Sequence, residues 1–96
     1  MTWGSPVEVE TRRRIRVAAW AYAYEIENAP LVSDAEFDRE CALVDLSIDT
    51  TSPLMDAWFR KEFEPHTGQW IHRYPKVRIG RLRHVVGTMR SAPFAN

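Results

Sequence analysis

Glu25, Glu27, Asp34, Glu36, Asp38 and Glu40 crowd into one short stretch of the chain. Such a density of carboxylates can offer a negative surface to an arginine-rich groove made for nucleic acid, the logic of charge mimicry. The competing reading is that they cap helices and face solvent. The opposite constellation lies further on, where Arg73, Lys76, Arg78, Arg81, Arg83 and Arg90, with His72 and His84, alternate with Trp70 and Tyr74. A basic strip of this kind binds phosphates while its rings stack on bases; alternatively it is a solvated helix face that pairs with the acidic half. Arg12, Arg13, Arg14 and Arg16 form a second basic cluster, either solvated surface or an extension of that strip.

The two signs are segregated. Five basic residues stand against eleven acidic ones from Met1 to Asp56, and eight against two from Ala57 to Asn96, so the halves carry opposite charges within a chain of net charge zero. A folded dipole of this kind either closes on itself or offers two surfaces to different partners.

Catalytic constellations are missing. His66, His72 and His84 are scattered over a half poor in carboxylates, so no metal site is expected, and Cys41, the single cysteine, excludes an intramolecular disulfide and a multi-cysteine zinc site. No Gly-x-Ser-x-Gly elbow is present, and Gly4, Gly68, Gly80 and Gly87 are too dispersed to cradle a phosphate. No catalytic residue is expected. The charge-free run Val17 to Tyr24 is too short to cross a bilayer and Met1 to Arg16 lacks the apolar segment of a signal peptide, which predicts a cytoplasmic protein with no membrane partner.

These side chains need helices to position them. With 45% hydrophobic and 27% charged residues in 96, the composition is that of one folded domain spanning residues 1–96. Ser5-Pro6-Val7-Glu8 combines an N-cap serine, a proline at the first helical position and a glutamate at the third, predicting a long first helix from Pro6 to about Glu27 with Ile15, Ala19, Tyr22 and Ile26 on its inner stripe. Asn28-Ala29-Pro30 stops it. Ser33-Asp34-Ala35-Glu36 repeats the box and opens a second helix, whose Phe37, Cys41, Val44 and Ile48 face the first in an antiparallel hairpin over residues 6–48. Ser52-Pro53 predicts a short third helix to about Phe63 with Leu54, Trp58 and Met55 or Phe59 inward. After a turn at Glu64 to Gly68, residues Gln69 to Tyr74 read as extended or irregular. Pro75 opens a basic fourth helix whose Leu82, Val85, Val86 and Met89 form its stripe, within a basic segment of about 70–90. Trp20, Trp58 and Trp70 are expected in core or rim packing, and Ser91 to Asn96 as a frayed tail. The fold class predicted is all-α.

From Tyr22 to Arg39 the chain reads Tyr-Ala-Tyr-Glu-Ile-Glu-Asn-Ala-Pro-Leu-Val-Ser-Asp-Ala-Glu-Phe-Asp-Arg. This stretch resembles the N-terminal helical subdomain of bacterial NAD-dependent DNA ligases, a pattern of roughly Tyr-x-Tyr-His-x-x-Asp-x-Pro-x-x-x-Asp-Ala-Glu-Tyr-Asp. The quoted stretch covers 18 of the 96 residues, just under a fifth of the chain. The resemblance implies a helical hairpin that recognises the nicotinamide mononucleotide (NMN) half of NAD. Rings would lie against nicotinamide and carboxylates near the ribose, which assigns Tyr24, Asp34, Phe37 and Asp38 to NAD or NMN binding. Glu25 stands where the family usually has histidine and Phe37 where it usually has tyrosine, which removes a phenolic hydrogen-bonding group and adds a negative charge beside a ligand that carries phosphate.

The ligase nucleophile, a lysine in Lys-x-Asp-Gly, is absent, because Lys61 precedes Glu62-Phe63 and Lys76 precedes Val77-Arg78. Small stand-alone proteins of this ligase-related kind resemble those of phages and other mobile elements. The first expectation is therefore a non-catalytic interaction module that binds a protein partner, in concrete form an inhibitor of a host nucleic-acid or defence complex of the anti-CRISPR type, through Glu25, Glu27, Glu36 and Glu40. Binding of NAD or NMN, and nucleic-acid backbone binding through Arg73, Lys76, Arg78, Arg81 and Arg83, are the alternatives.

Overall fold

The computed structural model describes residues 4–91. Among them are helices and turns and no strand, so the chain is all-α: α1 Pro6–Glu25, α2 Asp34–Ala42, α3 Pro53–Glu62, 3₁₀ segments at Gln69–Arg73 and Lys76–Arg78, and α4 Ile79–Ser91. The tail expectation for residues 92–96 falls outside the described residues.

Local chemistry sets the helix starts. Ser5 Oγ accepts from the Glu8 amide at 3.2 Å while Glu8 Oε1 accepts from the Ser5 amide at 2.8 Å, a complete capping box with Pro6 just inside. At α2 only the forward bond forms, Glu36 N–H to Ser33 Oγ at 3.1 Å. The first helix ends as its stop signal requires: Asn28 adopts φ 54°, a left-handed conformation asparagine tolerates, and the Ala29 amide returns to the Ala23 carbonyl at 2.9 Å.

The second helix is shorter than its apolar spacing predicts, so the hairpin's helical part ends at Ala42 and not near Ile48. Beyond Leu43 the backbone has better partners than its own helix. Asp45 Oδ1 accepts from the Ser47 amide and hydroxyl, the Asp45 amide donates to Glu10 Oε2 at 3.0 Å, and Arg14 Nη2 donates to the carbonyls of Asp45 and Ile48 at 2.8 and 2.9 Å. The hairpin itself runs antiparallel. As the chain advances from Glu40 to Asp45, its contacts retreat along α1 from Arg16 and Arg13 to Glu10.

The core sits around α1, which packs against α4, α2 and the segment Gln69–Arg73. Val17, Ala18, Ala19, Ala21 and Ala23 are buried, and these small side chains let several neighbours approach one helix closely. The inner stripe is rotated from expectation, with Ile15 and Ile26 nearly half exposed. Glu10 and Arg14 take the inward places because each finds a charged partner there, and Ile26 falls beyond the last turn. The same pinning turns α3, where Asp56 is buried and Leu54, two residues earlier, is exposed. Phe59 is buried and Trp58 and Met55 half-buried, while α4 buries Leu82 and Val86 with Val85 and Met89 at the margin.

Gln69–Arg73 is a 3₁₀ helix and not extended chain, and α4 begins at Ile79 after a separate 3₁₀ turn. Trp70 and Ile71 are driven fully into the core. Trp70 packs against Trp58, Phe59 and Phe63 with centroids 5.2–6.0 Å apart, and its indole N–H donates to the Thr67 carbonyl at 2.6 Å.

Candidate functional site

Two helical pairs face each other at the tip of the hairpin. Trp20 and Tyr24 lie one turn apart on α1, and Asp34 and Asp38 lie one turn apart on α2 with Phe37 beside them, because residues four apart share a helix face. All five line one cleft of about 360 Å³, closed below by the turn His66 to Gln69 and flanked by Glu25 and Leu31. The residues expected at an NAD or NMN site, Tyr24, Asp34, Phe37 and Asp38, are thus brought together. Tyr24 is half exposed, Phe37 half-buried, and both aspartates open to solvent.

The floor is set by close packing. A Cβ on Gly68 would stand 3.4 Å from Ala21 Cβ and 3.6 Å from both Glu25 Cγ and Phe37 Cζ, ordinary contact distances that place the turn against both helices. Glu25 is fixed from the other side, its Oε1 3.0 Å from His72 Nε2. Trp20, His66 and Gly68 were not among the residues assigned from the sequence. Trp20 carried a signal in its four-residue spacing from Tyr24; His66 and Gly68 come from a distant turn and carried none.

The acidic surface is partly occupied internally. Glu25 holds His72, Glu27 holds Arg90 at 2.8 Å, and Glu40 holds Arg13 at 3.3 Å and also Arg16, while Glu36 stays exposed. Two of these pairs join the acidic half of the chain to the basic half. The basic strip is divided in the same way. Arg73 bonds Glu62 at 2.6 Å, and Arg83 Nε donates to the Tyr22 hydroxyl at 3.0 Å. Lys76, Arg78 and Arg81 have no ion-pair partner among the described residues. The strip does not interleave cations with stacking rings as expected, because Trp70 is wholly buried and Tyr74 is half-buried edge-on to Trp58 at 5.1 Å.

Arg14 is neither solvated surface nor part of the strip. It is buried, with Nε on Glu10 at 2.8 Å, Nη1 on Asp56 at 2.8 Å, Nη2 on two loop carbonyls and its guanidinium 5.7 Å from the Phe59 ring centroid. Burial pushes Asp56 up, but the Thr50 hydrogen bonds and the charges of Arg14 and Arg60 outweigh it, so its carboxyl sits below the ordinary range. Cys41 is buried, and burial with Asp38 and Glu40 nearby pushes its thiol up to about 12. Among the described residues, no three His, Cys, Asp or Glu converge as a metal site, and no helix is long and apolar enough to cross a membrane.

No family model, no curated protein and no solved structure matches the chain.

Proposed function

We propose that this chain is a non-catalytic binding module whose tip cleft takes a ribosylated, positively charged aromatic ring of the NMN or NAD kind. One observation carries the reading: Tyr24, Asp34, Phe37 and Asp38, from two helices, line a single cleft of about 360 Å³, a volume in the range of small-molecule sites. A pyridinium ring is attracted to aromatic faces, which Trp20, Tyr24 and Phe37 supply. Carboxylates accept from ribose hydroxyls, and Asp34 and Asp38 are free to do so. Chemistry has little to work with, since the Cys41 thiol is buried and held protonated and neither Lys61 nor Lys76 lines the cleft.

The test is a proton–nitrogen NMR titration with NAD and with NMN. Localised, saturable shifts at Tyr24, Asp34, Phe37 and Asp38, lost in Tyr24→Ala and Asp38→Ala variants that keep the native spectrum, are the expected result. Unchanged affinity in both variants, or no shifts at millimolar ligand, would sink the reading.

A protein partner is the second reading, favoured by the exposure of Tyr24 at 50% and Ile26 at 45% beside exposed carboxylates, the anatomy of an aromatic anchor with a polar rim. Its concrete form is an inhibitor, of the kind mobile elements carry, of a host nucleic-acid or defence complex. Such a partner is basic, and its binding weakens in Tyr24→Ala and Glu36→Lys.

A further inference from the structure

A second cleft, of about 220 Å³, opens between α1, α3 and α4, on residues distinct from those of the tip. Its walls are apolar: Ile15 from α1, Met55 and Phe59 from α3, Leu82 and Val85 from α4. Ile15 remains 44% exposed there, so an apolar wall faces open space. The charges at its base are already matched, because Arg14 and Asp56 bond each other and the surrounding backbone. The charges at its mouth are not. Arg78 and Arg81 line the cleft and hold no ion-pair partner among the described residues. Arg81 also sits in the first turn of α4, where the helix dipole is positive and a cation is unfavourable, and no acidic residue in that turn offsets it. An anion bound at these two guanidiniums would offset that uncompensated charge.

We infer that this cleft binds a small monocarboxylate with an unbranched or aryl apolar body, the tail against Ile15, Phe59, Leu82 and Val85 and the carboxylate between Arg78 and Arg81. The volume accommodates an apolar body of roughly six to eight carbons at interior packing density. Tyr74 lines the same cleft, and burial raises its phenol against the pull of Arg78 and Arg81, so it remains a neutral hydrogen-bond donor. Two charge-assisted bonds to arginine would set the orientation.

The probes are octanoate, octan-1-ol and octylamine, titrated into the whole chain and followed by amide shifts. Octanoate is expected to move Thr11, Ile15, Tyr74 and Val85 saturably, with the alcohol and the amine at least about tenfold weaker. Arg78→Gln with Arg81→Gln, at one half-buried and one exposed position, should lose that preference with the rest of the spectrum unchanged. Lys76→Gln, which removes one positive charge outside the cleft, should keep it. Equal binding of octanol and octanoate, an equal loss in Lys76→Gln, or no saturable shift at millimolar octanoate would each overturn the assignment.

Discussion

Arg14 Nη1 stands 2.8 Å from Asp56 Oδ1, both side chains about 5% exposed, and the two are separated by forty-two positions of sequence. The contact joins α1 to α3 through the interior, with Glu10 as the second carboxylate and the loop after α2 hung from the same guanidinium. Removing one member of a buried ionic group leaves the others uncompensated. Arg14→Met is therefore expected to destabilise the fold by about 3–5 kcal/mol, read from urea unfolding. Replacing Glu10, Arg14 and Asp56 together with Leu, Met and Leu should recover only part of that loss, because the carbonyls of Asp45 and Ile48 and the Thr50 amide stay without partners. Full recovery by the triple variant would show that the loop contributes nothing.

Acid should act through Asp56. Its folded carboxyl lies below its ordinary value of 3.8, burial being outweighed by Thr50, Arg14 and Arg60. The unfolded chain therefore binds the proton first. The stabilisation is complete above about pH 4 and fades as pH falls through the depressed folded value. Urea midpoints should drop on going from near pH 6 to near pH 3, and Asp56→Asn, already less stable, should show a shallower drop. Asp45, lowered chiefly by its hydrogen bonds from Ser47, adds in the same direction.

Cys41 should be silent toward alkylating and disulfide reagents. Burial and the neighbouring Asp38 and Glu40 hold its thiol up to about 12, so thiolate is scarce at neutral pH. Labelling at pH 8 is expected at least about a hundredfold slower than for an unfolded control, and urea should abolish the difference. Fast labelling of the native chain would mean that α2 detaches from α1.

On the proposed nucleotide reading, charge in the tip cleft should rank the ligands. Glu25, Asp34 and Asp38 line it against His66 as the facing imidazole. A phosphate gains little there, so nicotinamide riboside should bind at least as tightly as NMN, and Asp38→Asn should narrow the gap. Markedly tighter NMN binding would locate the phosphate outside these carboxylates.

Much of this was legible where local chemistry decides. Ser5, Ser33 and Pro53 announced three helix starts, and Asn28 and Pro30 the end of the first, because caps and turns depend on near neighbours. Asp34 and Asp38, four apart, already shared a face. What escaped depends on partners far along the chain. Arg14 read as one arginine in a basic run because a glutamate four residues earlier precedes Arg12 as well; Asp56 and the loop carbonyls, joined with Glu10, make it buried. That substitution of a charge for an aliphatic on the inner face also rotated Ile15 and Leu54 outward, against their periodicity. The last two elements of the tip cleft, His66 and Gly68, were hidden for the same reason: a turn carries no sign of which helix it will meet.

The dominance of α1 in the packing bears on how the chain acquires its structure during synthesis. Of the described helices α1 is made before the others and has as its main partner α4, which is made after them, so the apolar face of α1 must wait for α4 to leave the ribosome. Until then the growing chain holds a helix with an uncovered apolar face, and completion of this core is governed by the emergence of α4.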